Sequence, residues 1–157
     1  MTEFGAGPRF AIFSAIYCSI IFALDRYFFP LFMITEKYRS VIVFAGLLLI
    51  ALGIPFYILS IVPVLRAFKA KRLLTKGTYG MCRHPVYAAW IVFFVPGASL
   101  LLNSWALLSV PIVMNSIAIA LVRSEDAYLE ETFGNEFQSY RSSVPAIIPY
   151  GWLIKST

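Results

Sequence analysis

The fold is decided by residues 83–126, which read RHPVYAAWIVFFVPGASLLLNSWALLSVPIVMNSIAIALVRSED. The 37 residues from 86 to 122 carry no charged side chain, and an Arg-His pair precedes them while a Glu-Asp pair follows them. As one helix this segment would measure about 55 Å, nearly twice the roughly 30 Å hydrocarbon core of a bilayer. It therefore has to fold back on itself as a helical hairpin.

Two pairs of residues predict where the hairpin turns. Pro96-Gly97 comes first and Asn103-Ser104 follows. Proline removes a backbone donor, while glycine and asparagine tolerate the conformations of a tight reversal, so we expect Pro96-Gly97, followed by Asn103-Ser104, to supply the break. Both ends of the hairpin then lie at the same membrane face, where His84 can meet Glu125.

The composition indicates an integral membrane protein. The chain of 157 residues is 60% hydrophobic and 13% charged, with a mean hydropathy of +0.79. Soluble domains average roughly 45 to 50% apolar and 25% charged residues. We predict a single all-α domain over 1–157, with about four transmembrane helices at 9–29, 41–65, 86–102 and 104–122 and a cytoplasmic tail over 123–157.

An N-terminal signal peptide is the alternative for the first span. Only Arg9 is available as a preceding basic residue, and no clean small-x-small cleavage site follows, so we expect the segment to be retained.

The segment from 66 to 83 has six Lys and Arg residues and no acid. The positive-inside rule places such a loop in the cytoplasm, with both termini, and we expect a bacterial or archaeal inner membrane. The net charge of +5 could indicate a nucleic-acid partner, but the sequence has no nucleic-acid-binding motif, so we expect none.

The tail has an amphipathic helical pattern. Five of the eight acids lie between Glu125 and Glu136, interleaved with Leu and aromatic residues at helical spacing. Gly134 lowers the helix propensity by about 1 kcal/mol, so we expect either a bend or a close contact at this position. Residues 150–152 predict an aromatic anchor at the membrane interface.

His84 is the only histidine of the chain, and two interpretations of it are open. It can line a cavity with Glu125, or Arg83 and His84 can simply mark the interface while Glu125 and Asp126 form solvated helix surface. One histidine and two cysteines match no zinc motif, so no metal is expected.

Two motifs resemble a known family. Residues 75–87 read TKGTYGMCRHPVY, similar to T-x-G-x-Y-x-x-x-R-H-P-x-Y. Residues 125–145 read EDAYLEETFGNEFQSYRSSVP, similar to E-E-x-x-L-x-x-x-F-G-x-x-Y-x-x-Y-x-x-x-V-P. The chain thus resembles the integral-membrane methyltransferases related to isoprenylcysteine carboxyl methyltransferase and phospholipid methyltransferase.

The resemblance implies S-adenosylmethionine at the cytoplasmic end of the last helices and a lipophilic methyl acceptor that enters from the bilayer. It implies cofactor contacts by Tyr79, His84 and Glu125, with Tyr87 and Asp126 in support. Leu73 and Leu74 match an apolar pair whose backbone lines the same pocket. The catalytic group that it implies consists of Arg83, His84 and Glu125.

Methyl transfer from a sulfonium needs neither a metal nor a covalent intermediate, so positioning can supply most of the catalysis. A carboxylate such as Glu125 can accept hydrogen bonds from ribose hydroxyls or an amino group. His84 or Arg83 can pair with the cofactor carboxylate. The face of Tyr79 can stabilise the sulfonium cation.

The chain departs from the family pattern at three positions. Asp126 replaces the second Glu of the acidic pair, and Ala89 replaces a Gly. Leu121 stands where the isoprenylcysteine enzymes have an Arg associated with the acceptor, and Arg123 lies on another side of the helix. These departures argue against a prenylcysteine carboxylate and leave the acceptor atom open among oxygen, nitrogen and sulfur.

Two other functions are compatible with the sequence. A reductase-like relative would bind a nicotinamide cofactor, although the chain has no G-x-G-x-x-G motif. A non-enzymatic membrane protein would bind partners through small-residue faces such as Ala45-Gly46 and Gly53.

Overall fold

The structure is a computed structural model that describes residues 7–70 and 72–149. These residues form helices joined by short connections, and within them the only β-type pairing is an isolated bridge between Met33 and Ser104. A 3-10 turn at Gly77–Gly80 precedes the hairpin. The helices are α1 (Gly7–Tyr27), α2 (Arg39–Ala70), α3 (Pro85–Leu101), α4 (Ser109–Phe133) and α5 (Asn135–Ser143).

Helices α1 and α2 are long and apolar enough to cross a bilayer, and they correspond to the first two predicted spans. Only 11% of the most apolar window of each helix is buried, whereas the core helix of a soluble protein is mostly buried. Large apolar side chains instead cover their outer surfaces, as expected for contact with lipid. Examples are Ile12, Phe13, Ile16, Phe44, Leu47, Leu52 and Leu59.

The hairpin forms as predicted, but its turn does not lie at Pro96-Gly97. Helix α3 continues through both residues to Leu101. A π-helical segment, Ala89–Phe94, comes directly before, and the Val95 N–H donates to the carbonyl of Trp90. This i→i−5 bonding already shifts the hydrogen-bond register where Pro96 cannot donate, so the proline is accommodated without ending the helix.

The turn occupies residues 102–108, and α4 begins at Ser109 rather than at 104. Asn103 adopts a positive φ of 56°, and its side-chain amide donates to the carbonyl of Thr35 at 2.9 Å. The Ser104 hydroxyl donates to the buried carboxylate of Asp25 at the end of α1. The backbone N–H of Trp105 donates to the Phe32 carbonyl at 2.9 Å, so the chain here pairs with the segment after α1 and the helix restarts only later.

Glycines bring α2 into close contact with α3. A Cβ on Gly46 would lie 2.8 Å from the Gly97 carbonyl oxygen, and one on Gly53 would lie 2.7 Å from Cβ of Phe93. Both glycines of α2 are buried. The small-residue face that a partner-binding protein would expose is therefore covered by the chain's own α3.

Helix α1 packs along α4, where the hydroxyls of Tyr17 and Ser109 lie 3.3 Å apart, and its two ends contact α3 and the turn. Phe10 contacts the Tyr87 ring at 4.7 Å between centroids, and Asp25 binds Ser104 at the opposite end. These contacts make α1 an integral part of the helical bundle.

The predicted bend at Gly134 is confirmed. Its φ of +50° ends α4, and α5 starts at the next residue. Phe137, Tyr140 and Val144 then pack against Leu73, Leu129 and Phe133. The aromatic anchor predicted at 150–152 lies outside the described residues.

Candidate active site

The two ends of the hairpin meet, and the predicted convergence of His84 and Glu125 is confirmed. Nδ1 of His84 lies 3.2 Å from Oε2 of Glu125, and Nε2 lies 3.0 Å from Oδ1 of Asp126. Nη2 of Arg83 lies 2.7 Å from Oδ2 of Asp126. With a protonated imidazole, two positive charges balance two negative ones.

The local fold explains why Arg83 and His84 reach these carboxylates. Pro85 occupies the first turn of α3, where its missing N–H is tolerated, and His84 is the N-cap. The backbone N–H of Arg83 donates to the Pro145 carbonyl at 2.8 Å, and that of His84 donates to the Ala146 carbonyl at 2.9 Å. The segment after α5 thus fixes the residues before α3.

Asp126 is the most fully engaged carboxylate of the cluster. One oxygen faces the His84 ring and the other accepts from Arg83, while only 7% of its side chain is exposed. Arg83 is also held by the Val144 carbonyl, which accepts from Nη1 at 2.6 Å. The two charged side chains therefore compensate each other in a site largely removed from solvent.

Glu125 is more open, with 17% of its side chain exposed. The Tyr87 hydroxyl donates to Oε1 at 2.9 Å, while Oε2 faces His84. The Tyr87 ring stacks on the imidazole at 5.9 Å between centroids and packs against Phe10. Tyr87 therefore orients both the Glu125 carboxylate and the His84 ring.

Tyr79 lies beside the cluster but has structural partners. Its hydroxyl donates to the Ser60 carbonyl of α2, and its own carbonyl accepts from the Tyr140 hydroxyl at 2.6 Å. Burial, with smaller contributions from Cys82 and Glu125, raises the pKa of Tyr79. The phenol is thus neutral, and it joins the 3-10 turn to α2.

The two leucines matched to the family pattern lie in the extended segment between α2 and the 3-10 turn. Leu73 packs against Phe137, Tyr140 and Val144, and Leu74 is half-buried beside it. The Leu73 side chain belongs to the packing of α5, whereas the role implied for both leucines concerns their backbone, which stays a prediction.

The cluster controls the protonation of its members. Burial alone would lower the pKa of His84, but hydrogen bonds to Asp126 and Glu125 outweigh it and raise that pKa. Burial would raise the pKa of Asp126, but His84 and Arg83 lower it. Burial raises the pKa of the neighbouring Cys82 thiol to about 12, which keeps it protonated and unreactive at neutral pH.

The interpretation of these residues as interface markers and solvated helix surface is wrong. Their side chains are largely buried and pair with one another across 42 positions of sequence. Sequence reasoning missed the carbonyls of Val144, Pro145 and Ala146, which accept from Arg83 and His84. The matching Val-Pro pair was the only signal that this segment takes part.

Among the described residues, no group of three or more His, Cys, Asp or Glu could hold a metal ion.

The comparisons with known proteins agree with this geometry. Residues 42–131 match the model of the isoprenylcysteine carboxyl methyltransferase (ICMT) family, a range that covers more than half of the chain and includes both His84 and Glu125. The chain belongs to the ICMT family. No solved structure matches it at a significant level.

Curated relatives of this ICMT-family chain match about half of it. It is 27% identical over 79 residues to protein-S-isoprenylcysteine O-methyltransferase B of Arabidopsis thaliana, covering 50% of the chain and 40% of that protein. It is 32% identical over 77 residues to the enzyme of Schizosaccharomyces pombe, covering 49% and 33%. It is 35% identical over 89 residues to the nickel-cobalt-cadmium resistance protein NccN of Alcaligenes xylosoxydans, covering 56% and 41%. Each match spans less than half of the relative.

Proposed function

We propose that this protein is an integral-membrane methyltransferase that transfers a methyl group from S-adenosylmethionine to a lipophilic acceptor. The observation that carries the proposal is a buried cluster of ion pairs. In it, Arg83 and His84 contact Glu125 and Asp126, and all four residues lie within the range that matches the ICMT family. Relatives named as methyltransferases support the reaction class.

The residues of the cluster fit the cofactor. Glu125, the more exposed carboxylate, would accept from ribose hydroxyls or the amino group. Nε of Arg83 is buried and, within the described part of the chain, has no hydrogen-bond partner, so it is a donor available to a carboxylate. When bound, S-adenosylmethionine would supply an activated methyl group on its sulfonium. The chain's residues would then hold donor and acceptor in line and exclude water.

We place α3 and the first part of α4 in the bilayer as the third and fourth spans. Helix α3 has 17 residues, about 25 Å, which is close to the lower limit for crossing. The basic segment 66–83 supports a cytoplasmic position for the cluster, because loops rich in Lys and Arg are usually found on the cytoplasmic side of the membrane. The cofactor would then come from the cytoplasm and the acceptor from the bilayer.

An apolar groove supports a lipophilic acceptor. It has a volume of about 550 Å³, within the range of small-molecule sites, and lies between α1, α2, α3, the turn and the start of α4. Its lining includes Cys18, Phe22, Tyr57, Trp90, Phe94 and Ala98. Trp90 follows Tyr87 by three residues, so the groove begins about one helical turn from the cluster.

The proposed reaction can be tested with the full chain in lipid nanodiscs. The protein is incubated with S-adenosylmethionine carrying a radiolabelled methyl group and with amphiphiles of one chain length that end in a carboxylate, an amine or a thiol. We expect label in an organic-extractable product, with the amine or thiol preferred because Leu121 replaces the acceptor-associated Arg. Glu125→Ala should reduce the rate at least tenfold.

The matched control is Glu131→Ala, an exposed acid on the same helix, which should retain full activity. A folded wild-type protein that labels none of the three amphiphiles and no component of a membrane lipid extract would contradict the proposal. Equal loss of rate in both variants would contradict the assignment of Glu125.

A further inference from the structure

Both ring nitrogens of His84 face carboxylates. Nδ1 lies 3.2 Å from Glu125 and Nε2 lies 3.0 Å from Asp126. A neutral imidazole has one donor and one acceptor nitrogen, and an ionised carboxylate only accepts. Both contacts can be hydrogen bonds at the same time only if both nitrogens carry a proton. With both carboxylates ionised, only an imidazolium can donate to both of them, and an imidazolium has no lone pair with which to take a further proton.

Asp126 has little freedom to contact a ligand. Both of its oxygens are engaged, one with Nε2 of His84 and one with Nη2 of Arg83. Arg83 is itself anchored by the Val144 carbonyl. Glu125 differs, because its side chain is more exposed and faces the same imidazolium from the other side. The two adjacent carboxylates thus have different surroundings.

We propose that Asp126 is a positioning residue: paired with Arg83, which keeps it ionised, Asp126 keeps His84 doubly protonated, and His84 in turn fixes the Glu125 carboxylate toward the cofactor. His84 is then a cationic bridge rather than a proton acceptor. Only the last step, what Glu125 contacts, rests on the proposed function. The protonation of His84 is a property of the folded chain alone.

The groups around His84 all bear on its charge. Glu125 and Asp126 face it from α4, Arg83 precedes it, and Tyr87 stacks on it from α3. The phenols of Tyr79 and Tyr140 lie nearby, and burial raises the pKa of each, so they stay neutral. Against the opposing effect of burial, the two carboxylates raise the pKa of His84. The pKa of His84 therefore lies above its ordinary value near 6.5, and the imidazolium loses its proton as the pH rises through this raised pKa.

Because His84 is the only histidine in the chain, nitrogen NMR of protein labelled with ¹⁵N-histidine reports on it without ambiguity. The full chain is purified with a histidine-free affinity tag and studied in detergent micelles without cofactor. At pH 7.5 we expect both ring nitrogens to be protonated. In Asp126→Asn the titration midpoint should fall by about one pH unit or more, since the removed charge no longer favours the cation.

The matched control is Glu131→Gln, which removes an exposed acid of the same helix and should leave the midpoint unchanged. Wild-type protein with one unprotonated ring nitrogen at pH 7.5 would overturn the proposal, and this measurement requires no variant to fold. An unchanged midpoint in folded Asp126→Asn would overturn it as well. If the proposed function alone is wrong, the spectra will be as expected but S-adenosylmethionine will not bind.

Discussion

His84 is held between two carboxylates in a largely buried cluster. The side chains of His84, Arg83 and Asp126 are each more than nine-tenths buried. Burying unpaired charges costs several kcal/mol each, so such an arrangement persists only when the charges compensate one another. The Arg141 and Val144 carbonyls, which accept from Nη1 of Arg83, add to this compensation.

Tyr87 is the residue that tests how closely Glu125 must be held. Tyr87→Phe removes the hydroxyl that donates to Oε1 of Glu125 while keeping the ring between Phe10 and His84. We expect S-adenosylmethionine to bind roughly tenfold more weakly, about 1.4 kcal/mol, because a hydrogen bond to a charged group is lost. Calorimetric titration at pH 7 measures the change.

The control for this substitution is Tyr128→Phe, which alters a half-exposed tyrosine on α4 three residues after Glu125. It should bind the cofactor as the wild type does. Equal affinities for Tyr87→Phe and wild type would show that the hydroxyl does not orient the carboxylate.

The helical hairpin and the end of its first helix near residue 102 could be predicted from sequence, but the length of its turn could not. A charge-free run of 37 residues is too long for one crossing, so a reversal follows from length alone. Pro96-Gly97 is a strong local signal for a break. The π-helical segment before it nevertheless shifts the hydrogen-bond register, so the helix continues although Pro96 has no N–H to donate. The actual turn depends on contacts of Asn103 with Thr35 and of Ser104 with Asp25, partners that lie 68 and 79 residues away.

The contact between α2 and α3 depends on glycine at Gly46. Replacing it with alanine improves helix propensity by about 1 kcal/mol, but the new Cβ would lie 2.8 Å from the Gly97 backbone oxygen. Since that oxygen belongs to a helix backbone, both helices must move apart, at a typical cost of about 1 to 3 kcal/mol. We expect Gly46→Ala to lower the thermal unfolding midpoint in detergent.

Gly7→Ala is the comparison, because a Cβ at that position meets nothing within 4 Å. It should leave the midpoint unchanged or slightly raised. A Gly46→Ala protein as stable as the Gly7→Ala protein would mean that α2 and α3 are not packed as closely as described.

Across the whole molecule, the site combines segments that are far apart in sequence. Residues before α3, residues on α4 and the segment after α5 meet at one end of the bundle. The two motifs predicted the charged members, since motif residues can be matched one by one. They could not predict the different exposure of Glu125 and Asp126 or the backbone carbonyls that hold Arg83, because side-chain patterns do not report these features.

The central claim is that His84 and Glu125 form one cofactor site, and calorimetric titration of S-adenosylmethionine into the purified full chain tests it most directly. The wild type should bind saturably, while His84→Ala and Glu125→Ala, each shown to be folded, should raise the dissociation constant at least tenfold, about 1.4 kcal/mol. A reduced nicotinamide dinucleotide, the ligand expected of a reductase, should give no binding heat. Unchanged affinity in both folded variants, or binding of the nicotinamide instead, would contradict the account.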